Sequence, residues 1–379
     1  MRALIAALAV VTIGAAARPA PTAADYAADA RDLRQLIADH YAYPDHLPNG
    51  TVPQSAALEA ERDAVHDRDT LLHYAEDMIA TLADHHAITG ASFGDDWALV
   101  PSFADLWVED GRITAVRDRS PAARAGIMAG DKLAAVGGVA LPVAAAAFWS
   151  RLGLPVTPER RDHAERVLAA GRRNAARVLS VTRDGRSRDV TLPSLYAEHR
   201  SAGVLTVTAN TIRLNDSLGE HATIAAFDAA MAALPSRAAV TVDLTDTASG
   251  GNTSVARAMM GWFVRRAMPY QVHNLPSEER ETGVPRQWLE EVLPRPGRYH
   301  PGPVTVLVGR WTGSMGEGLA IGFAAIGARV CGGPMAGLKG AVYDLTLERS
   351  GLVVKVPAER LYTVDGQPRE RWTPGCRAA

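Results

Sequence analysis

The sequence predicts a protein of the α/β class, with a helical N-terminal part and a β-rich middle part. From residue 203 onward, apolar strands alternate with helical patterns, as is typical of a layered α/β domain. Residues 25–82 show instead the three-and-four spacing of amphipathic helices. Residues 95–195 contain short β-type runs separated by turns rich in Gly, Pro and Asp. A chain of 379 residues is long enough for two or three domains.

The composition is that of an ordinary globular protein. Hydrophobic residues make up 47% and charged residues 22%, which favours a sizeable core over disorder. The 40 basic and 42 acidic residues give a formal net charge of -2. This balance gives no electrostatic case for nucleic acid or an anionic membrane as a partner. The two cysteines, Cys331 and Cys376, lack zinc-type spacing; they could form one disulfide in an oxidising compartment, and the sequence leaves that open.

The first 24 residues predict export. A short basic start at Met1-Arg2 precedes an apolar run with an Ala-x-Ala ending, which is the pattern of a secretory signal peptide. Cleavage after Ala17 or after Ala24 fits this pattern, and a retained anchor helix is the alternative. No later run of eighteen apolar residues follows, so a secreted or periplasmic mature protein without a membrane span is expected.

The helical region ends on two adjacent histidines. Helical spacing runs from Asp25 to about Leu82, with a loop at residues 43–50, and the region closes on Asp84-His85-His86-Ala87. A His pair at a helix end can act as a C-terminal cap that interacts with the helix dipole. It can equally supply a group that titrates near neutral pH.

The middle region carries the longest local motif. A strand at Ile113–Val116 precedes Ser120-Pro121, where proline fits the first position of a short helix. Gly126 closes that helix, and Gly130-Asp131 makes the turn into the next strand. A hairpin around Asp-Gly follows a charged, Ala-rich helix expected over 158–176.

A strand, turn and helix around Ser314 form the candidate catalytic element. The apolar strand Val304–Val308 leads into the turn Gly309–Glu317, and a helix of small residues is expected from Gly316 to Ile326. Such a turn holds a hydroxyl at a helix N-terminus beside N–H groups that can face an oxyanion. Ser314 is therefore the predicted nucleophile; the alternative is that Ser314 and Glu317 form only a capping box.

These motifs together resemble the C-terminal processing, or tail-specific, serine peptidases, which are related to tricorn and to retinoid-binding proteins. The run Thr312-Gly-Ser314-Met-Gly-Glu317, followed by Gly337-Leu-Lys339-Gly340, is similar to the family's nucleophile and lysine motifs. Asp84-His85-His86 is similar to the Asp-x-His motif of its histidine-using members. Residues 243–252 resemble the family's Gly-Gly turn, with Thr245, Thr247 and Ser249 replacing its Arg, Asn and first Gly.

The resemblance implies a domain order. After the signal peptide (1–24) it implies a helical N-terminal domain (25–94), a PDZ-like domain (95–195) and a crotonase-like α/β catalytic domain (196–379). PDZ domains bind an extended peptide as an added strand and capture its C-terminal carboxylate. The usual carboxylate loop is not obvious here, so a purely structural PDZ-like module is the alternative.

The resemblance also implies roles for residues of the site. Gly250 or Gly251, together with Met315, would supply the oxyanion N–H groups. The general base would be His86 or Lys339, unless neither is competent, because the sequence fits neither branch of the family completely. Glu370 would orient His86, or else be a solvated surface residue.

We therefore expect an exported serine endopeptidase that hydrolyses polypeptides through an acyl-enzyme on Ser314, without a cofactor. The substrate could be recognised by its C-terminus. The alternative is a non-catalytic protein that binds peptide or apolar ligands on the same scaffold, and a third reading is an esterase with the same acyl-enzyme chemistry. The sequence leaves the oligomeric state open.

Overall fold

The computed structural model describes residues 19–197 and 203–377. The greater part of the predicted signal peptide, residues 1–18, lies outside these ranges.

The helices occur in all parts of the chain. The α-helices of the described residues are α1 (Ala23–His40), α2 (Ala56–Asp63), α3 (Arg68–Ala80), α4 (Pro121–Arg124), α5 (Leu141–Ser150), α6 (Pro158–Ala170), α7 (Ala222–Ala233), α8 (Thr253–Met260), α9 (Pro276–Thr282) and α10 (Met315–Ala325). Short 3-10 helices lie at Pro44–His46, Pro48–Gly50 and Arg369–Arg371.

The strands form three sheets. The strands of the described residues are β1 (Ile88–Thr89), β2 (Leu106–Glu109), β3 (Arg112–Val116), β4 (Lys132–Val136), β5 (Val139–Ala140), β6 (Arg177–Arg183), β7 (Arg186–Leu192), β8 (Leu205–Thr208), β9 (Thr211–Leu214), β10 (Val240–Asp243), β11 (Met268–Asn274), β12 (Gln287–Val292), β13 (Val304–Val308), β14 (Arg329–Gly332), β15 (Ala341–Thr346) and β16 (Val353–Tyr362).

The N-terminal helices α1 to α3 pack on one another as their apolar spacing predicts. Leu33 and Ile37 of α1 and Leu71 and Leu72 of α3 are almost fully buried in one core. That core also takes in residues of α5, α6 and β16, so the helical part is continuous with both of its neighbours. Removing this apolar surface from water is what holds the three short helices together.

The middle region is an antiparallel sheet in the order β2-β3-β4-β6-β7, with β5 paired to β4. The expected short helix is α4, which begins with Pro121 after the capping Ser120. The Ala-rich helix α6 ends at Ala170 rather than at residue 176. Its C-cap is Gly171, whose φ of 75° leaves the helical region.

The C-terminal region contains the predicted alternation of strands and helices. Its main sheet has the order β14-β13-β10-β9-β8, in which β10 pairs in parallel with both β9 and β13. The carboxyl ends of β10 and β13 therefore lie side by side, and the chain leaves them into the Gly-Gly turn and the Ser314 turn. Ligands bind at this edge of open α/β sheets, because the loops that leave the strands meet there.

One predicted helix is shorter in the structure. The pattern over 254–266 predicts one helix, but α8 ends at Met260, with Gly261 as its C-cap. A Cβ at Gly261 would lie 2.8 Å from the side chain of Arg295, so only glycine allows this close contact. The chain then turns away to enter β11.

A second sheet in the C-terminal region was not predicted. It has the order β1-β16-β11-β12, with β15 also paired to β16. β1 is only two residues long, and Ile88 and Thr89 pair with Lys355 and Val354 of β16. This pairing fixes the segment directly after His86 to the C-terminal region.

Cys331 and Cys376 form a disulfide, which answers the question left open by the sequence. It attaches the C-terminal segment to β14, next to the hydrogen bond from Gly332 N–H to the carbonyl of Cys376, 2.9 Å long. Within residues 19–197 and 203–377, no helix combines the length and apolar character needed to cross a bilayer.

Candidate active site

The turn that carries Ser314 has a strained backbone and is held by hydrogen bonds from Thr312 and Thr247. Ser314 has φ 51° and ψ -115°, a conformation that costs a residue with a side chain about 1–3 kcal/mol. The hydroxyl of Thr312 accepts from Gly309 N–H and donates to the carbonyl of Leu244, with distances of 3.0 and 2.7 Å. Thr247 adds two main-chain hydrogen bonds, from its N–H to Trp311 and from Gly313 N–H to its carbonyl. These bonds join the turn after β13 to the turn after β10.

The side chain of Ser314 lies against that of His86. Ser314 Oγ is 3.0 Å from His86 Nε2, and His86 Nδ1 is 2.6 Å from the main-chain carbonyl oxygen of Lys339. A carbonyl oxygen can only accept, so Nδ1 carries the proton in neutral imidazole. Nε2 is then the acceptor, and the Ser314 hydroxyl donates to it. This is the arrangement of a serine nucleophile with a histidine base.

The position of His86 is fixed by its neighbours in the chain. The buried carboxylate of Asp84 accepts from His86 N–H at 2.9 Å and from the hydroxyl of Tyr41 at 2.8 Å. Burial and the charge of Asp84 raise the pKa of Tyr41 well above its usual value, so the phenol remains a donor. Asp84 thus holds the backbone of His86, whereas the ring of His85 stacks on His163.

Burial keeps the imidazole neutral. Loss of solvent lowers the pKa of His86 to about 4, although the hydrogen bond to Lys339 and the charge of Asp84 act in the opposite direction. His86 is therefore unprotonated at neutral pH and able to accept a proton.

Lys339, the other candidate base, has its ammonium group directed to Asp84. Lys339 Nζ lies 3.7 Å from Asp84 Oδ2. The contact that this residue makes with the Ser314 and His86 pair comes from its main chain, through the carbonyl that orients the imidazole. Sequence reasoning considered only the side chain.

Glu370 is not the partner of the His86 imidazole, contrary to the expectation from the resemblance. Nδ1 of His86 bonds to a carbonyl rather than to a carboxylate. Glu370 follows the start of a 3-10 helix, and its Oε2 is buried without a hydrogen-bond partner in the part of the chain that the structure describes. Burial raises the pKa of Glu370, with neighbouring arginines acting against it. It is therefore neither the orienting acid nor a solvated surface residue.

The Gly-Gly turn lies next to the nucleophile. A Cβ at Gly251 would be 2.6 Å from Cβ of Met315, so glycine is required for the two turns to approach. A Cβ at Gly250 would meet nothing within 4 Å, which places Gly250 beside open space. Met315 is the first residue of α10, so its N–H is one of the groups at a helix N-terminus that have no acceptor within the helix.

The residues that depart from the family's Gly-Gly motif have local partners. Ser249 donates both its N–H and its hydroxyl to the carboxylate of Asp216, each at 2.6 Å. Thr245 donates its N–H and its hydroxyl to Asp243. At the positions where the family motif has an arginine and a glycine, Thr245 and Ser249 therefore hold the turn by hydrogen bonds to neighbouring carboxylates.

Glu317 connects the two halves of the site. Its carboxylate is fully buried and accepts from Ser314 N–H at 2.9 Å, from Gly337 N–H at 2.9 Å and from Leu338 N–H at 3.2 Å. Burial raises its pKa to about 7, while Arg369 opposes that shift. The sequence pattern identified Glu317 as a possible cap of Ser314, but it gave no signal for the bonds to the loop that carries Lys339.

Residues 204–374 match the profile of peptidase family S41. This segment is an S41 peptidase domain. The chain is thus a serine-type peptidase, and Ser314, Lys339 and Glu370 lie inside the matched segment. His86 lies outside the matched segment. The pairing of β1, which follows it in the chain, with β16 holds His86 at the site.

Solved structures of proteases resemble the fold of this serine-type peptidase over most of its chain. The photosystem II D1 C-terminal processing protease is 16% identical, with a TM-score of 0.54 and 93% of each chain covered. Mature CPAF in complex with lactacystin is 13% identical, with a TM-score of 0.56 and 94% of each chain covered. At such identities the likeness concerns the fold. No curated protein sequence matches the chain.

Proposed function

We propose that this S41 peptidase is an exported endopeptidase in which Ser314 is the nucleophile and His86 the general base. The observation that carries the proposal is the 3.0 Å contact of Ser314 Oγ with His86 Nε2, on an imidazole whose other nitrogen donates to a carbonyl. That second bond selects the tautomer in which Nε2 can take the serine proton.

The reaction then follows from this geometry. His86 removes the proton as Ser314 Oγ attacks the carbonyl carbon of the scissile peptide bond, and it returns the proton to the leaving amine. Water, deprotonated by the same imidazole, hydrolyses the acyl-enzyme. The main-chain acceptor at Nδ1 keeps the ring oriented throughout, and the carboxylate of Asp84, bonded to His86 N–H, favours the imidazolium electrostatically.

The oxyanion of the tetrahedral intermediate would be bound between the two turns. We assign Met315 N–H and Gly250 as donors, since Met315 follows the nucleophile at the start of α10 and Gly250 borders open space. Donors already fixed before the reaction stabilise the developing charge without reorganising. The packing of Gly251 on Met315 keeps the two turns in register.

We further propose a tail-specific mode of substrate capture by the antiparallel sheet, acting as a PDZ-like module beside a crotonase-like catalytic unit. β3 pairs with β4 through Arg112 and Lys132, and Ile113 bonds to Gly130 and Asp131 on the same side, so the part of that edge after Ile113 is available in the described structure. A cavity of about 530 Å³ is lined by β3 residues 114–116 and by residues 309–311 of the turn that leads to Ser314. A peptide added as a strand to β3 would therefore extend toward the nucleophile.

The proposal is tested with a serine-reactive fluorophosphonate and an unfolded protein substrate. The wild type should be labelled on Ser314 and should cleave the substrate, whereas Ser314→Ala should do neither while unfolding at a similar urea concentration. Ser187→Ala, a change on exposed β7, is the matched control and should behave as the wild type.

Two outcomes would decide for other functions. A folded wild type that resists labelling and binds apolar ligands would indicate the non-catalytic alternative. Labelling accompanied by hydrolysis of simple esters, with unfolded proteins left intact, would indicate an esterase.

A further inference from the structure

A second cavity, of about 480 Å³, lies between the helical part and the antiparallel-sheet part of the molecule. Its walls come from α3, from the segment after α3 and from α6. Asp84, His85 and Ala87 all line it, so it is bordered by the segment that carries His86. This volume is in the range of small-molecule sites.

Two histidines line this cavity, and each has one ring nitrogen without a hydrogen-bond partner among the described residues. The rings of His85 and His163 stack with centroids 4.3 Å apart and planes 16° from parallel. His163 is only 8% exposed, and neither His163 Nδ1 nor His85 Nε2 has a hydrogen-bond partner in the described structure. Burial lowers the pKa of both rings, to about 3 for His163, so both are neutral, and in one of its two tautomers each ring offers the unpaired nitrogen as an acceptor. A buried polar atom without a partner costs about 1–3 kcal/mol, which a ligand that donates hydrogen bonds would recover.

Pairs of carboxyl groups line the same cavity. Glu76 hydrogen bonds to Asp96, and Glu61 hydrogen bonds to Asp77. Burial raises the pKa of Glu76 to about 9, and the contact with Asp96 adds to this rise, so Glu76 keeps its proton at neutral pH. A cation bound beside Glu76 and Asp96 would replace that proton and favour the ionised carboxylates.

The arginines of the wall are already engaged. Arg151 pairs with Asp77 through its two terminal guanidinium nitrogens. Arg172 lies over the ring of Trp97 at 4.1 Å and donates to the carbonyl of Asp95. The groups that remain for a ligand are therefore mainly acceptors.

The acceptors do not converge on one point. No group of three or more His, Cys, Asp and Glu residues, among those described, is arranged to hold a metal ion. Donor groups carried on a flexible organic chain can reach acceptors that a bare ion cannot. The buried ring of Phe148 and the side chain of Val167 also line the cavity and offer apolar contact for such a chain.

We propose that this cavity binds a small organic cation of the alkylammonium class. Its ammonium N–H groups would donate to the carboxyl groups of Glu76 and Asp96 and to the free imidazole nitrogens, and its alkyl chain would lie against Phe148.

The test is calorimetric titration of the full-length protein with 1,5-diaminopentane and with 1,5-pentanediol, which has the same chain but no charge. The diamine should bind at least about tenfold more tightly than the diol, which corresponds to roughly 1.4 kcal/mol. Glu76→Gln and His163→Phe should each weaken diamine binding by about tenfold or more. Glu291→Gln, an exposed carboxyl on β12, is the control and should leave binding unchanged.

Equal affinity for the diamine and the diol would overturn the proposal, because the cavity would then recognise only an apolar chain. Full diamine affinity in both cavity variants would also overturn it, by placing the bound amine elsewhere. Binding is measured without turnover, so neither result depends on the proposed peptidase mechanism.

Discussion

Replacing His86 and Lys339 one at a time separates the two candidate bases. His86→Ala removes the nitrogen that accepts from Ser314 Oγ at 3.0 Å. Lys339→Met removes an ammonium group that lies 3.7 Å from Asp84, but it leaves the main-chain carbonyl that orients the imidazole. The structure therefore predicts very different effects for the two changes.

The magnitudes follow from what each change removes. General base catalysis contributes about 10²–10⁴-fold, so His86→Ala should lower kcat by that factor, or roughly 3–5 kcal/mol of transition-state stabilisation. Lys339→Met leaves Asp84 with its bonds from Tyr41 and His86, so kcat should fall less than about tenfold. Loss of the ion pair beside a buried carboxylate should lower the free energy of unfolding by about 1–3 kcal/mol.

The assay is the initial rate of cleavage of an unfolded protein, with kcat and KM obtained separately and urea unfolding recorded for each variant. Lys355→Met is the matched control, because Lys355 pairs with Asp344 at the surface, at 2.6 Å. If folded Lys339→Met loses about a hundredfold or more in kcat while His86→Ala stays within tenfold of the wild type, the assignment of the base is refuted.

Three further predictions concern the parts that support the site. The pKa of Glu317 is raised from 4.5 to about 7 in the folded state, so as pH rises this carboxyl ionises in the unfolded chain before it does so in the folded one. The wild type should therefore become less stable to urea between about pH 4.5 and about pH 7. Glu317→Gln should not show this loss of stability with rising pH, whereas Glu291→Gln should still show it. Activity should fall as the wild type is acidified below about pH 7, because a protonated Glu317 carboxyl accepts more weakly from the N–H groups that hold the Ser314 turn and the Lys339 loop. Gly340→Ala should unfold at lower urea than Gly283→Ala and lose activity: both glycines have positive φ, but a Cβ at Gly340 would overlap the carbonyl oxygen of Glu359, whereas Gly283 faces open space. Equal effects would show that the overlap relaxes freely. N-terminal sequencing of exported protein should find cleavage after Ala17, since cleavage after Ala24 would remove Thr22, which caps α1, at a cost of about 0.5–2 kcal/mol; a mature chain starting at Asp25 would contradict this.

Local patterns were sufficient where a structure depends on neighbours in the chain. The strand β13 has the bounds that its apolar run predicts, and α10 begins one residue earlier than its small-residue pattern suggests. The helix start at Ser120-Pro121 is likewise encoded by adjacent residues. The second sheet escaped prediction, because its first strand, β1, has only two residues and exists only through its pairing with β16.

The sequence by itself determined the types of residue that could do the chemistry: a serine in a tight turn before a helix, and two candidate bases far from it in the chain. Only the tertiary structure decided their relation, because the contact between Ser314 and His86 joins residues 228 positions apart. The partner of the imidazole is a main-chain carbonyl, which every residue possesses and which therefore leaves no mark in a sequence. The same holds for Glu317, whose three N–H donors are backbone groups brought to it by the packing of two loops.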